Sequence, residues 1–325
     1  MSKKDTVTKE YMQDKATFAD AFNFYVYGGR QVIKPQNLRQ LDPTELAFPY
    51  GKDGSLVPIQ KYRDVLKIAT VMRDDRAAYI LLGIENQSHV HYAMPVKNML
   101  YDAIQYVAQA EEMAKSHRQK GEKLKPGAEF LSGLRKTDKL IPVITLTIYF
   151  GPDKWDGPRD LHSMLDADEE TLRFVDNYHL RLIVPSDISE QDFSKFVTEL
   201  NVVLKYLKYS SDKREFVKKV GQDAAFQSVS KRTVDMLNAV ADAKISYEAE
   251  EEQVNMCQAM QELIDNAKAE GEAKGVQIGV ERGRLETLKE NAASMRADGW
   301  DDETIARILR VGVADVKIWL DSKEN

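Results

Sequence analysis

Thiols are almost absent from this chain of 325 residues. A single cysteine, Cys257, excludes a disulfide framework and any zinc site built from several thiolates, and it fits a reducing compartment, so a cytoplasmic protein is expected. Long apolar runs are missing as well. The two most apolar stretches, residues 77–84 and 140–150, fall far short of the roughly 18 to 20 residues that span a bilayer, and the start, MSKKDTVTKEYMQDK, is polar. Neither membrane insertion nor secretion is expected. No sign of charge dominates, with 46 Lys/Arg against 52 Asp/Glu and a net charge of -6. Phosphate loops of the Walker type, Gly-x-Ser-x-Gly and paired Cys-x-x-Cys are all lacking, which removes the usual supports of nucleotide hydrolysis and serine-based catalysis.

The apolar share of 43% is ample for a real core, enough for one large domain with an appendage or for two domains. Charge divides along the chain. Residues 246–325 hold 10 basic and 18 acidic residues, leaving 36 and 34 in residues 1–245, so a mildly basic body precedes an acidic tail. Any nucleic-acid contact must then come from local patches. Phe18, Phe22 and Tyr25 at helical spacing before Gly28-Gly29 predict a helix over residues 16–28, and the prolines at 35, 43, 49 and 58 predict loop with at most one short strand over 29–60. Residues 96–118 carry a helical pattern, 141–150 read as a buried strand, 178–184 as another strand and 189–209 as an amphipathic helix. Alternating strands and helices give an α/β class. Beyond residue 212 no strand is expected. There the chain turns helical, with Gly271, Gly275, Gly279 and Gly283 recurring every four residues inside a helix-forming stretch over 253–291, then two short helices, the first capped by Asp301 or Asp302. The expected organisation is a domain over 1–245, a Gly-periodic helical segment over 246–291 that could join two copies, and a small acidic helical tail over 292–325, better suited to protein than to DNA.

The informative segment is a hairpin. Two β-prone runs, 64–71 and 77–87, flank Arg73-Asp-Asp-Arg76, and a turn centred between Asp74 and Asp75 pairs positions that sum to 149. Asp64 then lies opposite Glu85, where two carboxylates repel unless a cation joins them. Gln87 shares the face of Glu85, and Asn86 points away. Mg²⁺ is commonly held by one or two carboxylates plus waters and substrate phosphate, so this pair could take it, while the pattern alone reads first as a capped strand and a polar strand exit. Lys97, Tyr101 and Gln105 share one face of the following helix and could reach the same place, Tyr101 and Gln105 as DNA contacts; Lys61 is another candidate lysine. Asp20 and Asn23, three apart on the first helix, could add an acid to the site. His89 and His91 read as surface residues. Between Lys115 and Lys136 seven Lys/Arg face two Glu, a loop in which Lys115, Arg118, Lys120, Lys123 and Lys125 could track DNA phosphates.

Asp64, then Gly83-Ile-Glu-Asn-Gln87 and Tyr92-Ala-Met-Pro95, followed by the 141–151 strand ending Tyr-Phe-Gly, Trp155-Asp-Gly-Pro158 and the glycine-periodic tail, resemble the Rpn-type recombination-promoting nuclease and putative transposase family of the PD-(D/E)XK superfamily. The resemblance covers most of the chain. It implies a restriction-endonuclease-like α/β core, a mixed sheet flanked by helices, with a helical C-terminal extension. It also implies a DNA endonuclease dependent on Mg²⁺ or Mn²⁺, acting in recombination or mobile-element biology. Its first acid falls on Asp64, its second on Glu85 and its lysine position on Gln87, a departure that leaves open which residue does the lysine's work. A catalytically silent scaffold that binds DNA or protein is the alternative.

Overall fold

Strand pairing builds outward from the hairpin. The structure, a computed structural model, describes residues 3–41, 44–47, 59–62, 64–73, 76–121, 124–125, 127–248, 250 and 252–321. Strand β4 (Val65–Arg73) pairs antiparallel with β5 (Arg76–Gln87) from Arg73↔Arg76 to Val65↔Ile84, the register expected from the sequence; the turn residues 74 and 75 lie outside the described residues. On one side β1 (Leu38–Gln40) adds antiparallel to β4, and on the other β6 (Val143–Tyr149) and β7 (Leu182–Ile183) add in parallel, giving a five-stranded mixed sheet in the order β1-β4-β5-β6-β7. A separate two-stranded ribbon joins β2 (Thr44–Ala47) to β3 (Ile59–Tyr62), so the described residues of the proline-rich stretch and its exit form three strands rather than one.

Helices cover both faces. Helix α3 (Met94–Gln119) lies on the face of Thr145 and Thr147: Asn98 Nδ2 donates to Thr147 Oγ1 at 2.9 Å, and Thr145 Oγ1 donates to the buried Asp102 at 2.5 Å. Gln109 exchanges two hydrogen bonds with the backbone of Ile141, so the helix is held along β6 by polar side chains as well as packing. Alternation sends Lys67 to the opposite face, where α1 (Lys3–Gln13) and α2 (Lys15–Tyr27) lie. Asp14 caps α2 through the Thr17 amide, and Gly28 ends it in the left-handed conformation at φ 63°. The polar N-terminus is thus a helix, because Thr8, Tyr11 and Met12 form a buried stripe within it. Lys67 Nζ and the Arg232 guanidinium both donate to carbonyls at its C-terminal end, those of Gln13 and Tyr11.

Several expectations are corrected, each by a specific competitor. The strand over 178–184 shrinks to Leu182–Ile183, because Leu180 donates its amide to Arg159 O and Asp160 bridges His179, which takes the first half out of the sheet. The helix over 189–209 breaks into a 3₁₀ turn, Gln191–Lys195, and α6 (Leu200–Tyr209). At the break the amides of Val197 and Thr198 donate to the carboxylate of Asp20, which is 1% exposed. Asp20 is therefore a cap for another segment, not an added site acid, and Asn23 likewise binds the backbone of Val32 and Ile33. Short helices α4 (Ala128–Ser132), α5 (Glu169–Leu172) and α7 (Lys213–Lys219) fill connections. Strands do occur beyond residue 212: β8 (Val229–Ser230) and β9 (Gln253–Val254) pair across α8 (Lys231–Ala241), too short for a sequence pattern to register.

Two compact units result, Met1–Ala259 and Met260–Asn325. Helix α9 (Met256–Ala297) begins in the first and runs through the second, followed by α10 (Asp302–Leu309), capped by Asp301, and α11 (Val313–Asp321). Ala292, Ile305, Ala306 and Val316 form the second unit's small core. At Gly271, Gly275, Gly279 and Gly283 an added Cβ would meet nothing within 4 Å. Among the described residues no helix is long and apolar enough to cross a membrane.

Candidate active site

Where β4 begins and β5 ends, a cleft of about 310 Å³ opens. Its walls are Asp64, the strand exit from Glu85 to His91, Lys97 on α3, and Asp5 and Thr8 on α1. Asp64 sits one residue before Val65 and Glu85 one after Ile84, so they are the next pair in the observed register. The backbone agrees: the Asn86 amide donates to Asp64 Oδ2 at 2.8 Å. Glu85 is 2% exposed, and its Oε2 accepts from Lys97 Nζ at 2.7 Å. Lys97 in turn lies over the ring of Tyr101, 5.7 Å from its centroid.

Burial pushes the Asp64 carboxyl above its ordinary value; the Asn86 amide, Lys97 and Lys9 pull it back, and Asp5 adds to the push. Lost hydration, with repulsion from Asp5, therefore disfavours the charged form of Asp64. A divalent cation would offset both. Two carboxylates on neighbouring strands, with room for water and a phosphate, suit a hard cation of the Mg²⁺ class. Among the described residues no three His, Cys, Asp or Glu side chains converge into a complete protein ligand set.

Four expected site residues, Asp64, Glu85, Gln87 and Lys97, line this one cleft. His89 and His91 are exposed and line it too. Tyr101 corrects the expectation of a DNA contact, since it is 2% exposed and its ring packs beneath Lys97. Gln105 is half-buried, and Lys115, Arg118, Lys120 and Lys125 are exposed at the far end of α3 and in the loop beyond it. Lys123 lies outside the described residues, as does the side chain of Lys61 on β3. Sequence reasoning missed Asp5 and Thr8. Their signal was the spacing of three that places them on one side of a helix whose next turn carries the buried Tyr11.

The class is thus a mixed α/β protein with an acid-lined cleft at the end of a central hairpin. The chain belongs to the family described as putative transposase, YhgA-like, which matches residues 2–233. No curated protein matches the chain, and no solved structure does.

Proposed function

We propose that this protein is a metal-dependent DNA endonuclease serving mobile-element or recombination biology. The observation that carries the reading is the pairing of Asp64 with Glu85 in register, both facing one cleft with Lys97 Nζ 2.7 Å from Glu85. Family membership supports the biological setting and makes DNA the natural substrate. Asp64 and Glu85 would hold Mg²⁺ or Mn²⁺, which when bound supplies Lewis-acid stabilisation of the phosphate and a more acidic water. Lys97, reaching the site from α3, takes the work that the strand position Gln87 cannot do as a neutral amide. It offsets charge on the phosphate, and Gln87 orients the attacking water by hydrogen bonding.

Plasmid cleavage tests this directly. The full chain should nick or linearise plasmid in Mg²⁺ or Mn²⁺ and stop in EDTA. Asp64→Ala and Glu85→Ala should each reduce cleavage at least a hundredfold while DNA binding persists. Undiminished cleavage by both variants would sink the assignment. One observation favours a second reading, a nuclease-fold scaffold without activity: Lys97 already pairs with Glu85 at 2.7 Å. DNA binding with no cleavage under either cation would select it.

A further inference from the structure

The basic segment after α3 carries an apolar point. On α4, Phe130 is 75% exposed and its neighbour Leu131 85% exposed. Two adjacent large apolar side chains that far into water need a reason. A flexible loop would be one, but this segment is tied down. Glu129 Oε2 accepts the Lys125 amide at 2.9 Å, and Phe130 and Leu131 donate their own amides to Lys125 O and Gly127 O. Gly133 closes the helix at φ 71°, so near α3 that an added Cβ would stand 2.8 Å from Ala114 Cβ. At the base, His117 Nε2 meets Asp138 Oδ2 at 2.8 Å, and Asp138 also accepts the Arg135 amide at 2.7 Å.

The surroundings choose the occupant. Glu129 and Asp138 direct their carboxylates at backbone amides and His117, while Lys120, Lys125, Lys136 and Lys139, in the same stretch of chain, are exposed. An apolar tip held by hydrogen bonds within a lysine-rich stretch matches the way proteins lever DNA open: phosphates are held by cations, and an apolar side chain enters a base step and unstacks it. A protein partner fits poorly, because two side chains expose far less than the roughly 800 Å² per partner that a stable interface needs.

We propose that Phe130 and Leu131 form a wedge that enters duplex DNA and unstacks one base step. This rests on DNA being the substrate, and it adds how the substrate is deformed before the cleft acts on it. The wedge reads deformability, so steps that unstack easily are preferred over stiff ones, with no hydrogen bond to a base edge.

The test uses the full chain, Ca²⁺ in place of Mg²⁺, and short duplexes carrying 2-aminopurine at successive positions, with fluorescence reporting unstacking and anisotropy reporting binding. The unaltered protein should raise fluorescence several-fold at one or two adjacent positions. Phe130→Ala with Leu131→Ala should abolish the rise and weaken binding roughly tenfold, the scale of one lost stacking contact, while Phe130→Trp keeps both. Both side chains are exposed, so the melting temperature should not fall. An equal rise from the double variant, or binding with no rise anywhere, overturns the wedge and leaves the nuclease reading standing. No DNA binding by any of the proteins overturns both. A lower mass for the double variant in light scattering without DNA would reassign the tip to contact between copies, and overturn the wedge as well.

Discussion

Asp64 carries a cost that its chemistry explains. With its carboxyl pushed upward chiefly by burial, the folded state favours the protonated form more than the unfolded chain does. Stability from such a group is fully present below the unfolded value near 3.8 and is lost as pH rises through the folded one. Asp64→Asn should therefore melt above the unaltered protein at neutral pH, with the gap closing towards pH 3. Lys67 runs the opposite way. Burial lowers it from 10.5 to about 8, so the unfolded chain binds the extra proton between those values and rising pH favours the fold. Comparing Lys67→Met with the unaltered protein from pH 8 to 10 should show the difference moving in favour of lysine. At the cleft, Lys97→Met removes the 2.7 Å ion pair with the buried Glu85 and should destabilise by about 2 kcal/mol, largely recovered by adding Glu85→Gln.

Among the elements, the hairpin and α3 were legible because both follow a single period over many residues. The sum of 149 that joins Arg73 to Arg76 also joins Val65 to Ile84, and that arithmetic placed Asp64 beside Glu85 before any coordinate did. What escaped was decided by partners distant in sequence. Nothing within residues 189–209 announces a break, since the acid that makes it is Asp20, 177 residues from Val197. Likewise α1 is too polar to declare itself, and Asp5 and Thr8 were lost with it. Removing the Asp20 carboxylate leaves two part-buried amides without their acceptor, so Asp20→Ala should lower stability by about 2 kcal/mol in urea melts. Helix α9 is the converse case: the sequence pattern gives the helix, while among the described residues nothing packs against its glycine stripe. With open space at Gly275 and Gly279, alanine there should stabilise an isolated helix by about 1 kcal/mol each. Thermal melts of the two single variants decide it; a loss instead would mean that another chain packs against the stripe.

For the whole molecule, the unit Met1–Ala259 includes β9, where Val254 is 4% exposed, and Met256, fully buried at the start of α9. A truncation after residue 265 keeps them, and should melt within a few degrees of the full chain. Ending the chain at 245 strips both, and should cost about 3 to 5 kcal/mol on the ordinary scale of buried apolar side chains.

Helix α1, which brings Asp5 and Thr8 to the cleft, is fastened at its far end by the last helix of that unit before β9. Arg232 reaches the Tyr11 carbonyl, and the Tyr11 hydroxyl meets Thr233, 222 residues away. Closing so long a loop is slow, and on a ribosome it must wait until residue 233 has left the exit tunnel. A growing chain would carry the hairpin's two acids for most of its synthesis with one wall of the cleft still unfastened. On the proposed endonuclease reading, the timing of manufacture becomes a safeguard: competence arrives only after residue 233 has been made and freed.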